Sequence, residues 1–441
     1  MFSRRDLGLL IAPLIVEQFL SVTIGIADTV MVASCGEASV SAVALVDSIN
    51  QLLQRVFAAL ATGGAIITSQ YLGREDRQGA ARSAKQLVWV TFFISLGVGV
   101  VAFAFCGGII TGIYGSLEPL VFGHAKSYFY LSAASYPFIA VYNVSAALFR
   151  SQGNSKVSMF TALLMNIGNI GGNALFIYGF GMDVFGAGLS TLLSRVVGAV
   201  VLLWLLCRGS GLLAGESLRP MELEAATVGR ILRVSVPSGV ENSLFHVGKL
   251  MVQGLVASMG TMALAANAMA NSLSSVVNIP GNAIGLALIT VVGHCVGNGD
   301  YRAAHSYMLK LVGVAMAAAL VMDSAFFFLA EPLTGFYGLS AETATLAARI
   351  LRASSVAHAL VWSLAFVLPN GLRAAGDVRF TMIGSGAIMW TCRIGLSYLF
   401  CGPMEMGLMG IWAAMFVDWA VRMVVFVWRF FSGRWQNRQV V

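Results

Sequence analysis

The stretch LGLLIAPLIVEQFLSVTIGIADTVMVAS, Leu7 to Ser34, decides how the rest of the chain is read. Its 28 residues are enough to cross a bilayer as a tilted helix. Inside the apolar run sit Pro13, Glu17 and Asp28. An ionised carboxylate in hydrocarbon is costly, so such residues face a bundle interior or a watery cavity. Proline removes a backbone hydrogen bond and bends a helix at a defined place. A spanning helix with a hinge at Pro13 and an acid about 22 Å further along its axis is a candidate switch.

The whole chain has the composition of a membrane protein. Of 441 residues, 58% are hydrophobic and 11% charged, and the mean hydropathy is +0.82. A soluble chain of this length carries far more surface charge. Apolar segments fall at about 8–33, 45–70, 86–112, 126–149, 157–180, 185–207, 233–257, 266–293, 306–331, 346–370, 380–401 and 407–430. Twelve spans are therefore expected. The six cysteines are scattered without a CxxC pair and read as small buried apolar residues.

The two halves repeat one design. A shift of 224 places Pro13 on Pro237, Glu17 on Glu241, Gly36 on Gly260, Gly73 on Gly297 and Asp76 on Asp300. The shift slips to 223 at Arg150 and Arg373, then returns to 224 at Gly186 and Gly410. A constant offset over most of the chain indicates duplication. Six spans per half is an even number, so both halves enter the membrane from the same side, as parallel repeats. The expected organisation is a first six-helix lobe at 1–207, a cytoplasmic linker at 208–230 and a second six-helix lobe at 231–441. Most of the 27 Lys and Arg residues cluster at the termini and the even-numbered loops, among them Arg4, Arg74, Arg150, Arg230, Arg302, Arg373 and Arg434. The positive-inside rule then puts both termini in the cytoplasm of a multi-pass cell-membrane protein. The net charge of +7 reflects that topology, and no nucleic-acid module is present.

The chemistry follows from the polar residues inside spans. Asp28 meets Val252 at the 224 shift, so the duplication left this acid in one half only. That favours a coupling role over a helix cap or a structural pair. Glu17 and Glu241 recur four residues after each proline, which suits fold or gating, such as satisfying backbone freed by the proline. Lys249 lies two turns beyond Glu241 with His246 between them. It forms either an internal pair with Glu241 or a fixed positive charge beside a second-lobe cavity. Asp418 and Arg422, spaced i,i+4, are expected to pair, while Arg55, Arg195 and Arg393 also lie at or inside spans. Asn166, Asn169 and Asn173 share one face of the fifth span, as packing glue or as a hydrogen-bond network around Asp28. No metal-ligand cluster, nucleophile elbow, P-loop or cofactor loop stands out, so an enzyme is not expected.

In Ile26–Val32 (IADTVMV) after Pro13, in YLGREDRQGA, in Leu148–Asn154 (LFRSQGN) with its echo Gly371–Asp377 (GLRAAGD), and in Asn173–Gly179 (NALFIYG), the chain resembles the multidrug and toxic compound extrusion (MATE) family. The resemblance covers nearly the whole sequence. It implies an all-α integral membrane protein of twelve helices in two six-helix lobes, exporting organic cations in exchange for H⁺ or Na⁺ by alternating access. The family's first-helix aspartate falls on Asp28, its bending proline on Pro13, its fifth-helix asparagine on Asn169 and its sixth-helix threonine on Thr191. Asn173 departs from a fifth-helix aspartate common among relatives, and the tenth span offers His358, Trp362 and Asn370 in place of the sodium branch's aspartate. No cofactor is expected beyond the coupling ion, and the expected partners are a small-molecule substrate and membrane lipids, with the protein a monomer. The alternatives are a lipid-linked precursor flippase of the same superfamily and a major-facilitator transporter.

Overall fold

In the computed structural model, residues 2–208, 211–214, 224–336, 338, 340–436, 438 and 440 are described. Residues 209, 210 and 215–223 of the expected linker lie outside the described residues. Among the described residues the chain is helical, without strands. Six helical bodies occupy the first half. They are α1 (Arg4–Ala33), α2 (Glu37–Gly73), α3 (Arg77–Ala104, followed by a short helix Cys106–Tyr114), α4 (Pro119–Ser151), α5 (Ser155–Gly179) and α6 (Asp183–Leu206). The second half holds α7 (Ala225–Ala257), α8 (Thr261–Val277 and then Ile279–Gly297), α9 (Tyr301–Phe328, followed by Ala330–Gly335), α10 (Ala341–Ala374), α11 (Val378–Ile388, Met389–Gly395 and Leu396–Cys401) and α12 (Gly407–Phe431). Among the described helices, 10 are long and apolar enough to cross a membrane. The two bodies outside that set, α7 and α11, carry Glu241, Lys249 and Arg393 in their interiors.

The chain divides into two compact units, Phe2–Gly239 and Val240–Val441. The division falls inside α7. Residues just before it pack in the first unit, where Ser235 donates to the carbonyl of Leu60 and the Ser235 side chain abuts Gly63.

The repeated motifs prove to be helix punctuation. Asp76 and Asp300 both cap the helix that follows, accepting from the backbone N–H of Gly79 and of Ala303 at 2.8 Å. Gly36 and Gly260 open α2 and α8 at φ 101° and 95°, where a side chain strains the backbone. The second half has one more residue between Arg373 and Gly410 than the first has between Arg150 and Gly186. Both α5 and α11 carry a π-helical segment, Ala174–Gly179 and Met389–Gly395, where a helix accommodates an extra residue without breaking.

Two expectations shift. The eighth span is not one helix: it breaks at Asn278, because Pro280 cannot donate a backbone bond and starts a second helix instead. At Pro13, α1 runs on unbroken from Arg4 to Ala33. The missing proline N–H leaves the carbonyl of Leu9 without its helical donor, and the hydroxyl of Ser155 reaches it at 3.4 Å while donating to Leu10 O at 2.6 Å. The group serving the freed backbone is thus Ser155 rather than Glu17, since an ionised carboxylate accepts only and cannot satisfy a carbonyl.

Candidate functional site

In the first unit the four expected ion-coupling residues form one chain of hydrogen bonds. Asp28 projects from α1, and its Oδ1 accepts from Nδ2 of Asn173 on α5 at 2.6 Å. The same amide lies 3.4 Å from Oδ1 of Asn169, one turn earlier. Asn169 in turn donates to Oγ1 of Thr191 on α6 at 3.2 Å. The backbone carbonyl of Asn169 is held by the Ser190 hydroxyl at 2.7 Å. Asn169 and Asn173 are both fully buried. Close approach of α5 and α6 depends on Gly172, since a Cβ there would strike the Ser190 side chain. Asn166 does not join: it donates to its own helix at Ala162 O.

A second carboxylate belongs to this cluster and was not singled out in the sequence. Asp47 on α2 accepts from the Tyr128 hydroxyl and from Asn50, each at 3.3 Å. Asn50 bridges onward to Ser132 at 3.1 Å and accepts from the Tyr136 hydroxyl at 2.8 Å, tying α2 to α4. Arg195 on α6 donates to Ser135 at 2.6 Å and lies within electrostatic reach of both Asp28 and Asp47. The sequence carries a signal for it, because Asp47 lies near the start of the apolar segment at about 45–70. The helix itself begins at Glu37, which puts Asp47 about three turns in.

Glu17 and Glu241 lie outside the cluster, in matching ion pairs. Glu17 binds Arg150 at 2.9 Å and the Ser158 hydroxyl at 2.7 Å. Glu241 binds Arg373 at 2.7 Å. These arginines are those of LFRSQGN and GLRAAGD, so the echoed motif supplies the partner of the echoed acid. Arg422 closes on Asp418 through Nε, at 3.1 Å to both oxygens. His246 is buried on α7, and Lys249 lines a small pocket of the second unit together with Arg393. The second unit also buries a titratable group that the sequence offered without a partner. His358 lies between Asp323 on α9, at 2.6 Å, and Asn278 at the α8 break, at 2.9 Å, stacked on Trp362.

Comparison with known proteins agrees with this architecture. A curated relative, the uncharacterized transporter YisQ of Bacillus subtilis, is 27% identical over 96% of this chain and 93% of its own length. The probable multidrug resistance protein NorM of Thermotoga maritima is 25% identical over 99% and 94%. A crystal structure of MATE in the bent conformation shares the fold with TM-score 0.89 at 19% identity, over 98% of this chain and 94% of that one. The MatE family model matches twice, at residues 13–175 and 237–399, again 224 residues apart. That double match sets aside the major-facilitator alternative. The chain belongs to the MatE family, and it is a multi-pass membrane transporter and not an enzyme.

Proposed function

We propose that the protein is an antiporter of the cell membrane that exports small organic cations in exchange for protons, with Asp28 as the coupling carboxylate. The observation that carries this reading is the unbroken chain Asp28–Asn173–Asn169–Thr191, which links three helices to one acid. An acid in that setting holds a cationic substrate when ionised and releases it when protonated from the outer side. The same loss of charge biases α1, with its Pro13 hinge, toward a second conformation, which is alternating access driven by one proton. Relatives named as probable multidrug resistance proteins support a drug-like substrate.

The donor arrangement favours H⁺ over Na⁺. Asn173 presents N–H rather than oxygen to Asp28, and the Asn169 oxygen faces that same amide. A hard cation wants several oxygen ligands at once. The test is efflux of a fluorescent organic cation from proteoliposomes, with a proton or a sodium gradient imposed separately. A proton gradient should drive export, and Asp28→Asn, nearly isosteric with the protonated acid, should insert normally yet abolish it. Export by Asp28→Asn at the wild-type rate would place coupling elsewhere, and export driven by sodium alone would replace the coupling ion.

A further inference from the structure

The second unit holds a pocket at the duplicate of the Asp28 site, and its charge is reversed. The 224 shift carries Asp28 to Val252, Asp47 to Asn271, Asn169 to Arg393 and Thr191 to Met415. All four of these counterparts line one small pocket of the second unit. The correspondence is structural as well as numerical. In the first unit Asn169 reaches Thr191 across α5 and α6. In the second, Arg393 Nη2 reaches Sδ of Met415 across α11 and α12 at 2.9 Å, with the same separation of 22 residues. Duplication therefore kept the site and exchanged its acids for Val and Asn, its central amide for a guanidinium.

Of the other lining residues, Lys249 from α7 is basic and Ile411 is apolar, while Asn271 gives its NH₂ to the carbonyl of Asn267 at 2.8 Å and keeps its amide oxygen. Gln253, one turn beyond Lys249, has its polarity set by a relay. The Trp412 indole can only donate, and it donates to Oδ1 of Asn267 at 3.0 Å. Asn267 therefore turns its NH₂ outward and gives it to Oε1 of Gln253 at 3.1 Å. What Gln253 has left to offer is its own N–H pair. No carboxylate is among the lining residues. Arg393 is 9% exposed, and its Nε is buried without a hydrogen-bond partner. Its other contacts are a thioether, a weak neutral acceptor, and the face of Phe245. The nearby acid, Asp418, is bound by Arg422 at both oxygens and reaches Arg393 electrostatically, an attraction that Arg422's own charge opposes. A guanidinium so placed among apolar helices is costly unless an anion meets it.

We infer that this pocket of the second unit is an anion site, which receives the carboxylate of a small amphipathic ligand between Arg393, Lys249 and the Gln253 amide. A planar guanidinium fork matches a carboxylate bidentately, and the ammonium adds a point charge. The cavity volume of about 20 Å³ is room for little more than one water-sized oxygen, so a carboxylate would enter by one edge and leave the rest of the ligand outside the pocket. The inference goes beyond the proton-coupling reading and does not depend on it.

Equilibrium binding to the purified full-length transporter in detergent tests it, by calorimetry without any gradient. The probes are benzoate, the neutral and isosteric benzamide, and the benzylammonium cation. Benzoate should bind about tenfold or more tighter than benzamide, and benzylammonium should not compete with it. Lys249→Gln and Arg393→Gln should each weaken benzoate about tenfold while leaving benzamide unchanged, and Lys249→Arg should keep most of the affinity. If Arg393→Gln does not yield monodisperse protein, the Lys249 pair decides. Equal binding of benzoate and benzamide, or benzoate affinity unchanged in folded Lys249→Gln, overturns the inference. Because no proton gradient enters the measurement, its failure leaves the export experiment untouched, and the reverse holds too.

Discussion

Asn50 shows how single side chains set the shape of the first unit's interior. Its amide reaches Asp47 and Ser132 while its oxygen accepts from Tyr136, and it is 2% exposed. Asn50→Leu strands a buried hydroxyl and removes a tie between α2 and α4, so stability in detergent should fall by about 1–3 kcal/mol, read as a lower melting temperature. Asp47→Asn tests something different. If Asp47 shares the coupling work of Asp28, gradient-driven export should drop severalfold while the melting temperature holds; unchanged export would make it a structural acceptor for Tyr128. Asp28, Asn169 and Asn173 are legible because an acid in an apolar run and amides at helical spacing are visible in one dimension, whereas Thr191 is implied only by the family resemblance. Sequence reading passes over Asp47 and Tyr128, and leaves Arg195 without a partner, because their membership depends on α2, α4 and α6 meeting, which no spacing along one helix reveals.

At the scale of elements, the matching ion pairs Glu17–Arg150 and Glu241–Arg373 fasten the first helix of each half to a motif about 130 residues downstream. Both acids and both arginines are largely buried, and removing one member of such a pair leaves an uncompensated charge. Glu17→Gln should destabilise the protein by about 3–5 kcal/mol. The double variant Glu17→Gln with Arg150→Met should recover much of that loss, as judged by thermal unfolding of the purified transporter. No recovery would mean that Ser158 and the surrounding backbone, not the pair, depend on Glu17. The recurrence of these acids and arginines was legible in the sequence; that each acid takes its partner from the echoed motif was not, because the pairing crosses helices. The break in α8 had a cue in Pro280. A long apolar segment read only for hydropathy hides it, since proline changes the backbone bonding and hardly changes the average.

For the whole molecule, the repeat at 224 residues is the feature that composition and spacing expressed most fully, and the family match at two positions with that same offset bears it out. The direction of insertion rests on the distribution of charge. We propose that both termini lie in the cytoplasm, as the cluster of basic residues at Arg4, Arg5, Arg429 and Arg434 favours. Fusions of a reporter active only in the cytoplasm to each end should both be active, and an inactive fusion at either end would refute this topology.

The exchange of Asn169 for Arg393, and of Asp28 for Val252, has a consequence for how such a protein diverges. In a symmetric dimer of separate six-helix chains every substitution is made twice, so an acid gained on one side is gained on both. Joined in one polypeptide, the two halves become a heterodimer with fixed one-to-one stoichiometry. A mutation then enters a single copy, and one half is free to change the sign of its site while the other keeps it. The covalent link thus frees the two halves to specialise for opposite charges, which no assembly of identical subunits permits.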